Sequence, residues 1–571
     1  MPMSTLMQRS AEDHAVIDPA GQTESLESAK QSRAFLWMFV VLVAAYCAWV
    51  FSLPLFPTQD DPMHLYYTRI VQELLAHSPR FDAAYFIRIP PPPYVVHYAL
   101  LLLFTSFLNP VTAEKCMVCV ILVSTAFGFR FLGKAVGRHG ELMALWILPL
   151  LLSWPLFMGF HNYCLALSFS LWACGLWVRA SGTNDTRLWS AFLLVVVICL
   201  FTHPIPLLFV LGLTGLDLTV RILQKRFFAG VSWTSVLLQL KWDIGCSLLA
   251  GLTLFYLSLF VNNTGSTQQL TAPLSKLALL SGFARLQWMC FGTGGLFTKL
   301  YRCGLYVALL LGVVLAIRNK AVTHLRSSSA AKPLLIAAVF LVIALPLLPA
   351  NINGSEHFSD RLPIFAWICA LAAGSAAGSL SPGIRRTIAI SGCVFSVLTL
   401  IFADRLIRPV AKDIAQIETI PIRPHNAGLL FDGPVWVQNE HLTFDPYLRW
   451  VGARYFRRSD AVLVNGPWLS PPFPLPIQRR RSALTSRFSS LELLDPPTLH
   501  RHLMNSAADR EAVLSSVDVL VFVGKPQRHG LAPDPLLALD TARGWSCTSF
   551  DWYFVCETSR RAKGALAAAH R

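Results

Sequence analysis

The sequence predicts an all-α polytopic membrane bundle of about eleven transmembrane helices, followed by a small C-terminal α/β domain. Two observations carry the prediction. Of the 571 residues, 54% are hydrophobic and only 14% charged, whereas soluble domains carry about 25% charged residues. Apolar runs recur along the first two thirds of the chain, and beyond Asp404 they give way to proline-rich turns and short alternating runs.

Taken in order, residues 1–33 are polar and read as a disordered cytoplasmic tail. The membrane domain covers 34–404, with candidate spans at 34–53, 94–108, 113–132, 141–158, 160–178, 189–220, 235–261, 303–318, 333–350, 361–380 and 387–404. Most of these lie near the ~20 residues that cross a bilayer as helix. A long polar segment, 54–93, separates the first two. From 405 to 571 the pattern is that of a soluble α/β domain, with strand-like Pro434-Val-Trp-Val437 and Val517-Asp-Val-Leu-Val-Phe-Val523, a helix-like stretch from Leu491 to Leu514, and a stiff loop at Ser470–Pro476.

The net charge of +16 reads first as topology, because Lys and Arg hold short loops in the cytoplasm. Arg221, Lys225 and Arg226, then Arg318, Lys320, Arg326 and Lys332, then Arg385 and Arg386 mark three loops that alternate correctly as cytoplasmic ones. The N-terminus is then inside, and segment 54–93 and the C-terminal domain are outside, in the multi-pass setting of a cytoplasmic (inner) membrane. Arg130, Lys134 and Arg138 dissent: they fall outside in this scheme, so either the span count is off by one there or those cations act at the outer face. The basic run Arg479-Arg480-Arg481 is a solvated surface run rather than a nucleic-acid patch, and no nucleic-acid partner is expected. All cysteines but Cys547 and Cys556 lie in or beside apolar segments as small hydrophobes. That last pair flanks Thr548–Val555 and reads either as a disulfide in an oxidising compartment or as two buried thiols.

The most informative stretch is Gln59-Asp60-Asp61-Pro62-Met63-His64-Leu65-Tyr66-Tyr67-Thr68-Arg69. Asp60 and Asp61 precede Pro62, a favoured first helical position, so a carboxylate is placed to cap a helix running to about Leu75. His64 follows one turn on, and Ile70 with Leu74 gives an apolar face able to lie on a membrane surface. By spacing alone, Asp60 is either a helix cap or a functional acid. In its Asp-x-Pro-x-His-Leu form on a long outward loop after the first span, the segment resembles the first-loop motif of the GT-C superfamily of membrane glycosyltransferases. The resemblance implies an enzyme that transfers a sugar, with inversion, from a polyprenyl-phosphate-sugar donor to a glycan, lipid or protein acceptor at the outer face of a bacterial envelope membrane. It also implies that Asp60 is the family acid, acting as base or positioning the acceptor, with Asp61 at the motif's variable position; from its place beside Asp60, Asp61 is read as a second catalytic acid.

Such chemistry needs a carboxylate to take the proton of an attacking hydroxyl and cations to meet the leaving phosphate. By expected depth the cations are Arg69 and Arg88 in the first loop, Arg285 and Arg302 in the third, and Arg361 in His357-Phe-Ser-Asp360-Arg361-Leu-Pro; His64 joins them as a substrate-binding candidate. Arg361 could equally snorkel beside Asp360. The helix-like Leu274–Phe291 either lines an isoprenoid groove or plugs the bundle. Gly159-Phe-His161-Asn162 and Thr202-His203-Pro204 interrupt apolar runs: the His beside Pro204 reads as satisfying a kink, and His161 with Asn162 as a functional polar pair or a tight turn in the cytoplasmic headgroup region. No cofactor is certain, although Asp60 and Asp61 could share a divalent cation. No Walker loop, dinucleotide fingerprint, zincin pair or nucleophile elbow is present. The rival readings are a secondary transporter or flippase, which would want ionisable groups deep in its spans, and a non-catalytic subunit of envelope-polysaccharide assembly.

Overall fold

The computed structural model describes residues 19–261 apart from 90 and 92, then 296–318, 330–344 and 361–422, and shorter pieces between 425 and 558. Arg285, Asp360, Leu274–Phe291, Pro434–Val437, Ser470–Pro476, Arg480 and Arg481 lie outside the described residues.

The chain is a multi-pass helical membrane protein with a small sheet near its C-terminus. Its helices are α1 (Pro19–Ser52), α2 (Asp61–Leu75), α3 (Pro79–Ala84), α4 (Val95–Thr105), α5 (Pro110–Val136), α6 (Gly140–Leu151), α7 (Trp154–Phe157), α8 (His161–Ala180), α9 (Thr186–Leu200), α10 (Pro204–Leu223), α11 (Trp233–Gln239), α12 (Lys241–Val261), α13 (Leu296–Ile317), α14 (Ala331–Ala344), α15 (Pro363–Gly374), α16 (Pro382–Ala415) and α17 (Ala453–Arg458). Among the described residues six helices are long and apolar enough to cross a membrane, or seven if α11 and α12, bent by 70°, form one span. Helices α4, α6, α9, α14 and α15 are apolar but shorter.

Contacts between helix ends define two faces. At the first, Lys115 Nζ reaches the Leu53 carbonyl at the end of α1, Asp60 N–H donates to the Met158 carbonyl, Val96 N–H to that of Phe201, and Trp49 Nε1 to Asp404. At the second, His139 N–H donates to the Ser375 carbonyl and Arg221 pairs with Asp243 at 2.8 Å. Helix α5 therefore runs from the first face to the second, α6 with α7 returns, and α8, α9 and α10 alternate.

This path corrects the sequence reading at two places. The run expected to span at 94–108 is α4, only eleven residues long; its ends meet Phe201 and, through Gln72 and Thr105, helix α2, so it lies along the first face. The run expected at 189–220 is two helices, broken at Phe201–His203. With α4 removed as a span, Arg130, Lys134 and Arg138 move to the second face with Arg221 and Arg385. There Arg130 and Lys134 pair with Glu141 at 2.5 and 3.0 Å, and His139 bonds the Gly378 carbonyl. The dissenting cations thus mark the off-by-one error and have no place at the face of Asp60.

Strands β2 (Ala427–Asp432), β3 (Val462–Leu463), β5 (Val519–Val523), β6 (Trp545–Ser549) and β7 (Tyr553–Thr558) form a sheet in the order β3-β2-β5-β7-β6. Strand β2 is parallel to β3 and β5, and β7 is antiparallel to β5 and β6. Cys547 and Cys556 are bonded across β6 and β7. A separate antiparallel pair, β1 (Tyr85–Ile87) with β4 (Ile477–Arg479), ties the first loop to the C-terminal part. One apolar core is internal to the bundle. A second joins α2, Phe81, Tyr85 and the end of α16 to Leu430, Tyr455, Phe456 and Val519 of the C-terminal part. Ile70 and Leu74, expected on a membrane surface, are buried in that second core because the sheet region covers them.

Candidate active site

The first face holds an unusual density of buried polar side chains: Asp60, Asp61, His64, His97, Glu114, His161 and His203 are all buried. Helix α2 begins at Asp61 with Pro62 in its first turn, and Asp60 occupies the cap position without making a side-chain capping bond. The cap expected at Asp60 is therefore absent, and what is fixed is the backbone of its turn. Gln59 and Asp60 donate their N–H groups to Phe157 and Met158 at 3.2 Å each. Gly159, with φ of +79°, packs its Cα against this turn, where a Cβ would meet Asp60 N at 2.7 Å.

The tripeptide Gly159-Phe160-His161 assembles the site from below. Gly159 lets the α7–α8 turn approach the two acids. Phe160 lies under Arg361, whose guanidinium is 3.9 Å from the ring centroid. His161 opens α8 and places Nδ1 2.9 Å from Asp61 Oδ1. His97 comes from α4, its ring 6.2 Å from that of His161 and 4.9 Å from that of His64. His64 Nδ1 shares a 2.7 Å hydrogen bond with the Tyr98 hydroxyl, and burial pushes its imidazole down to about 4, with Asp61 opposing and His161 adding to the fall. For Asp61, burial works against the charge, but His161, then Glu114 and His64, overcome it and hold the carboxyl below the usual carboxylate range.

One Asp61 oxygen and one nitrogen each of His97 and His161 lie within 4.8 Å of one another. Neither Asp61 oxygen nor any of these four ring nitrogens has an aligned hydrogen-bond donor or acceptor, despite the short His161–Asp61 approach. Buried polar atoms are almost always paired, so two imidazoles and a carboxylate turned toward one point without bonding fit a divalent transition cation, for which nitrogen and oxygen donors are both suitable.

Beside this cluster stand His203 and Arg361. His203 caps α10 by accepting from Ile205 N–H on Nδ1 at 3.1 Å, which leaves the proton on Nε2. That Nε2 is 3.3 Å from Arg361 Nη1. Both are donors, so neither can satisfy the other, and together with the N-terminal end of α10 they suit an anionic oxygen. Tyr163 donates to the Arg361 carbonyl, Tyr94 packs on His203 with ring centroids 5.1 Å apart, and Asp60 contributes to the electrostatic environment of Arg361.

Of the residues singled out in the sequence, the structure brings Asp60, Asp61, His64 and Arg361 to one place. Arg69 instead donates to the Arg457 carbonyl and pairs with Glu73 at 3.3 Å. Arg88 is half-buried and interacts with Tyr256. Arg302 is half-buried on α13, next to Tyr301, which bonds the Pro149 carbonyl. His161 sits with the acids rather than in a turn at the opposite face. His97 and Glu114 had no signal beyond a lone polar residue in an apolar run, whereas the glycine and histidine flanking Phe160 marked their turn.

No family model and no curated protein matches the chain. Solved structures to which the chain is similar include the Archaeoglobus fulgidus oligosaccharyltransferase in its apo form, with a TM-score of 0.43 and 10% identity over 86% of this chain and 69% of the other, and the arabinofuranosyltransferase AftD from Mycobacteria, with a TM-score of 0.40 and 12% identity over 91% of this chain. This chain spans 40% of the length of the latter.

Proposed function

We propose that the chain is a membrane glycosyltransferase that moves one sugar from a polyprenyl-phosphate carrier to an acceptor hydroxyl at the outer face of the cytoplasmic membrane. The observation that carries the reading is the placing of a buried acid–imidazole cluster, Asp61 with His97 and His161, next to the N–H groups of Arg361 and His203. A transporter would need its polar groups along a path through the spans; among the described residues the buried acid–imidazole cluster lies at the first face.

In the proposed reaction Asp60 takes the proton of the acceptor hydroxyl. The oxygen forms its new bond to the anomeric carbon from the side opposite the carrier, and the anomeric carbon–oxygen bond to phosphate breaks. The phosphate leaves with the bonding electrons, and Arg361 and His203 meet its charge by N–H donation. Asp61, with His97 and His161, would hold a divalent cation. When bound, such an ion supplies positive charge that stabilises phosphate oxygens. The bond across Cys547 and Cys556 favours an oxidising compartment for the C-terminal part, and the gathering of Arg130, Lys134, Arg221 and Arg385 at the second face favours a cytoplasmic position there.

The test uses the purified full chain and short-chain polyprenyl phosphates carrying radiolabelled hexoses or pentoses. Asp60→Asn should lower turnover by about 10²- to 10⁴-fold at unchanged thermal stability, and Arg361→Ala should raise the donor KM. Full turnover in Asp60→Asn would refute the assignment of the base. Absence of transfer from every such donor by the wild-type chain would refute the reaction.

A further inference from the structure

The Asp61 carboxylate has a neighbour that the reaction above leaves unused. Glu114, in the second turn of α5, is fully buried and brings its carboxylate within hydrogen-bonding reach of Asp61. Two carboxylates so close repel unless a proton, a cation or an outside partner holds them. The outside partner comes from 340 residues further along the chain. Arg454, on α17, is 1% exposed and donates Nη2 to Glu114 Oε1 at 2.6 Å, with Glu418 at 3.6 Å on its other side.

Around it α17 is fixed at several points. Arg457 bonds Glu418 at 2.6 Å, Arg458 bonds the carbonyls of Ile417 and Ile420 at 2.9 and 3.0 Å, and Arg69 of α2 donates to the Arg457 carbonyl. The other Glu114 oxygen, Oε2, has no hydrogen-bond partner and is buried. A pair serving only to join two parts of the fold gains nothing from a second buried carboxylate pressed against Asp61. Burying such a pair is costly and its net effect on stability is close to zero or unfavourable, so the arrangement points to the site rather than to stability.

We propose that Arg454 is a positioning residue: supplied by the C-terminal part, it fixes Glu114, and Glu114 fixes the orientation of Asp61 toward His97 and His161. The C-terminal part is then a component of the site and not an appended module. The inference rests on the reading of Asp61 as a cation-holding acid.

The experiment uses the full chain in detergent and Mn²⁺ alone as probe, with affinity read by calorimetry or electron paramagnetic resonance and stability by metal-free thermal unfolding. Asp61→Asn should abolish binding. Glu114→Gln, Arg454→Met and the double variant should each bind about 10- to 100-fold more weakly, while Arg454→Lys, which keeps the charge, recovers most of the affinity. The double variant removes both charges together and so should fold even where Arg454→Met alone, with an uncompensated buried carboxylate, does not. Wild-type affinity in the double variant would overturn the inference and reduce the pair to a structural one. Wild-type affinity in Asp61→Asn would overturn the underlying reading as well, whereas loss in Asp61→Asn with wild-type affinity in all Glu114 and Arg454 variants would overturn this inference alone.

Discussion

Gly159→Ala isolates the contact on which the site geometry depends. Gly159 has φ of +79°, a region where a side chain costs roughly 1–2 kcal/mol. The new Cβ would also stand 2.7 Å from Asp60 N, 2.9 Å from Asp61 N and 3.1 Å from Asp60 Cβ. All three are backbone or near-backbone atoms that cannot rotate aside, so the turn must retreat by about 0.7 Å to reach ordinary contact at 3.4 Å. That retreat strains the bonds of Gln59 and Asp60 to Phe157 and Met158, each worth about 0.5–1.5 kcal/mol. The expected total is about 2–4 kcal/mol. A shift of this size also carries Asp61 away from His161, and misplacement near 1 Å lowers rates by about 10²-fold. Gly182→Ala is the matched control: its φ is +74°, but a Cβ there meets nothing within 4 Å. Thermal unfolding and Mn²⁺ affinity, measured on both variants, separate backbone strain from the clash. Equal unfolding temperatures and undiminished affinity in Gly159→Ala would show that the turn does not support the acids.

Three further outcomes follow from particular contacts. His64 has a folded pKa of about 4 against an unfolded value near 6.5, so its neutral form contributes stability that is complete above about pH 6.5 and is lost as pH falls toward 4, by about 3 kcal/mol; thermal unfolding across that window should be flatter in His64→Gln, and an identical profile would contradict the assignment. Lys115→Met removes an ammonium that bonds the Phe51 and Leu53 carbonyls at the end of α1 and should destabilise by about 1–3 kcal/mol in metal-free unfolding, with no loss expected if water replaces it fully. Changing Cys547 and Cys556 to Ser opens a loop closed across a sequence separation of 9 and should lower stability by about 2–3 kcal/mol, while a membrane-impermeant maleimide should label the native pair only after reduction.

Much of the bundle is legible because hydropathy is a local signal. The runs that became α1, α5, α8, α10 and α16 announce themselves over some twenty residues of lipid-compatible sequence, and the acids after α1 carry their own motif. Where the reading failed, the deciding information was not local. Val95–Thr105 is as apolar as a span, and only its eleven-residue length and the polar partners at its ends show that it lies along one face. The interruption at Thr202-His203-Pro204 was visible, but a break between two helices and a kink within one share the same residues. His97 and Glu114 look in sequence like tolerated polar residues in apolar surroundings; their meaning comes from His161 and Arg454, which are brought to them by the fold.

Helices α6, α9 and α15, with 12, 15 and 12 residues, rise only about 18–22 Å at 1.5 Å per residue, against roughly 30 Å of hydrocarbon. A bundle containing such short members cannot present flat ends; where one stops, another element must fill the level it leaves, and its backbone groups must be satisfied there. At the first face the filling is done by the turns at 53–60 and 201–203 and by the short α7 with its flanking turns, which supply Asp60 and His203 and lead into His161 at the start of α8. Irregular backbone at that level is stable only when buried in protein or lining a polar cavity, and here the covering is provided by α2, α17 and the second core. The same shortfall in helix length that forces the chain into these turns thus gathers acids, imidazoles and Arg361 at the first face, and the C-terminal part that covers them is joined to Glu114 through Arg454.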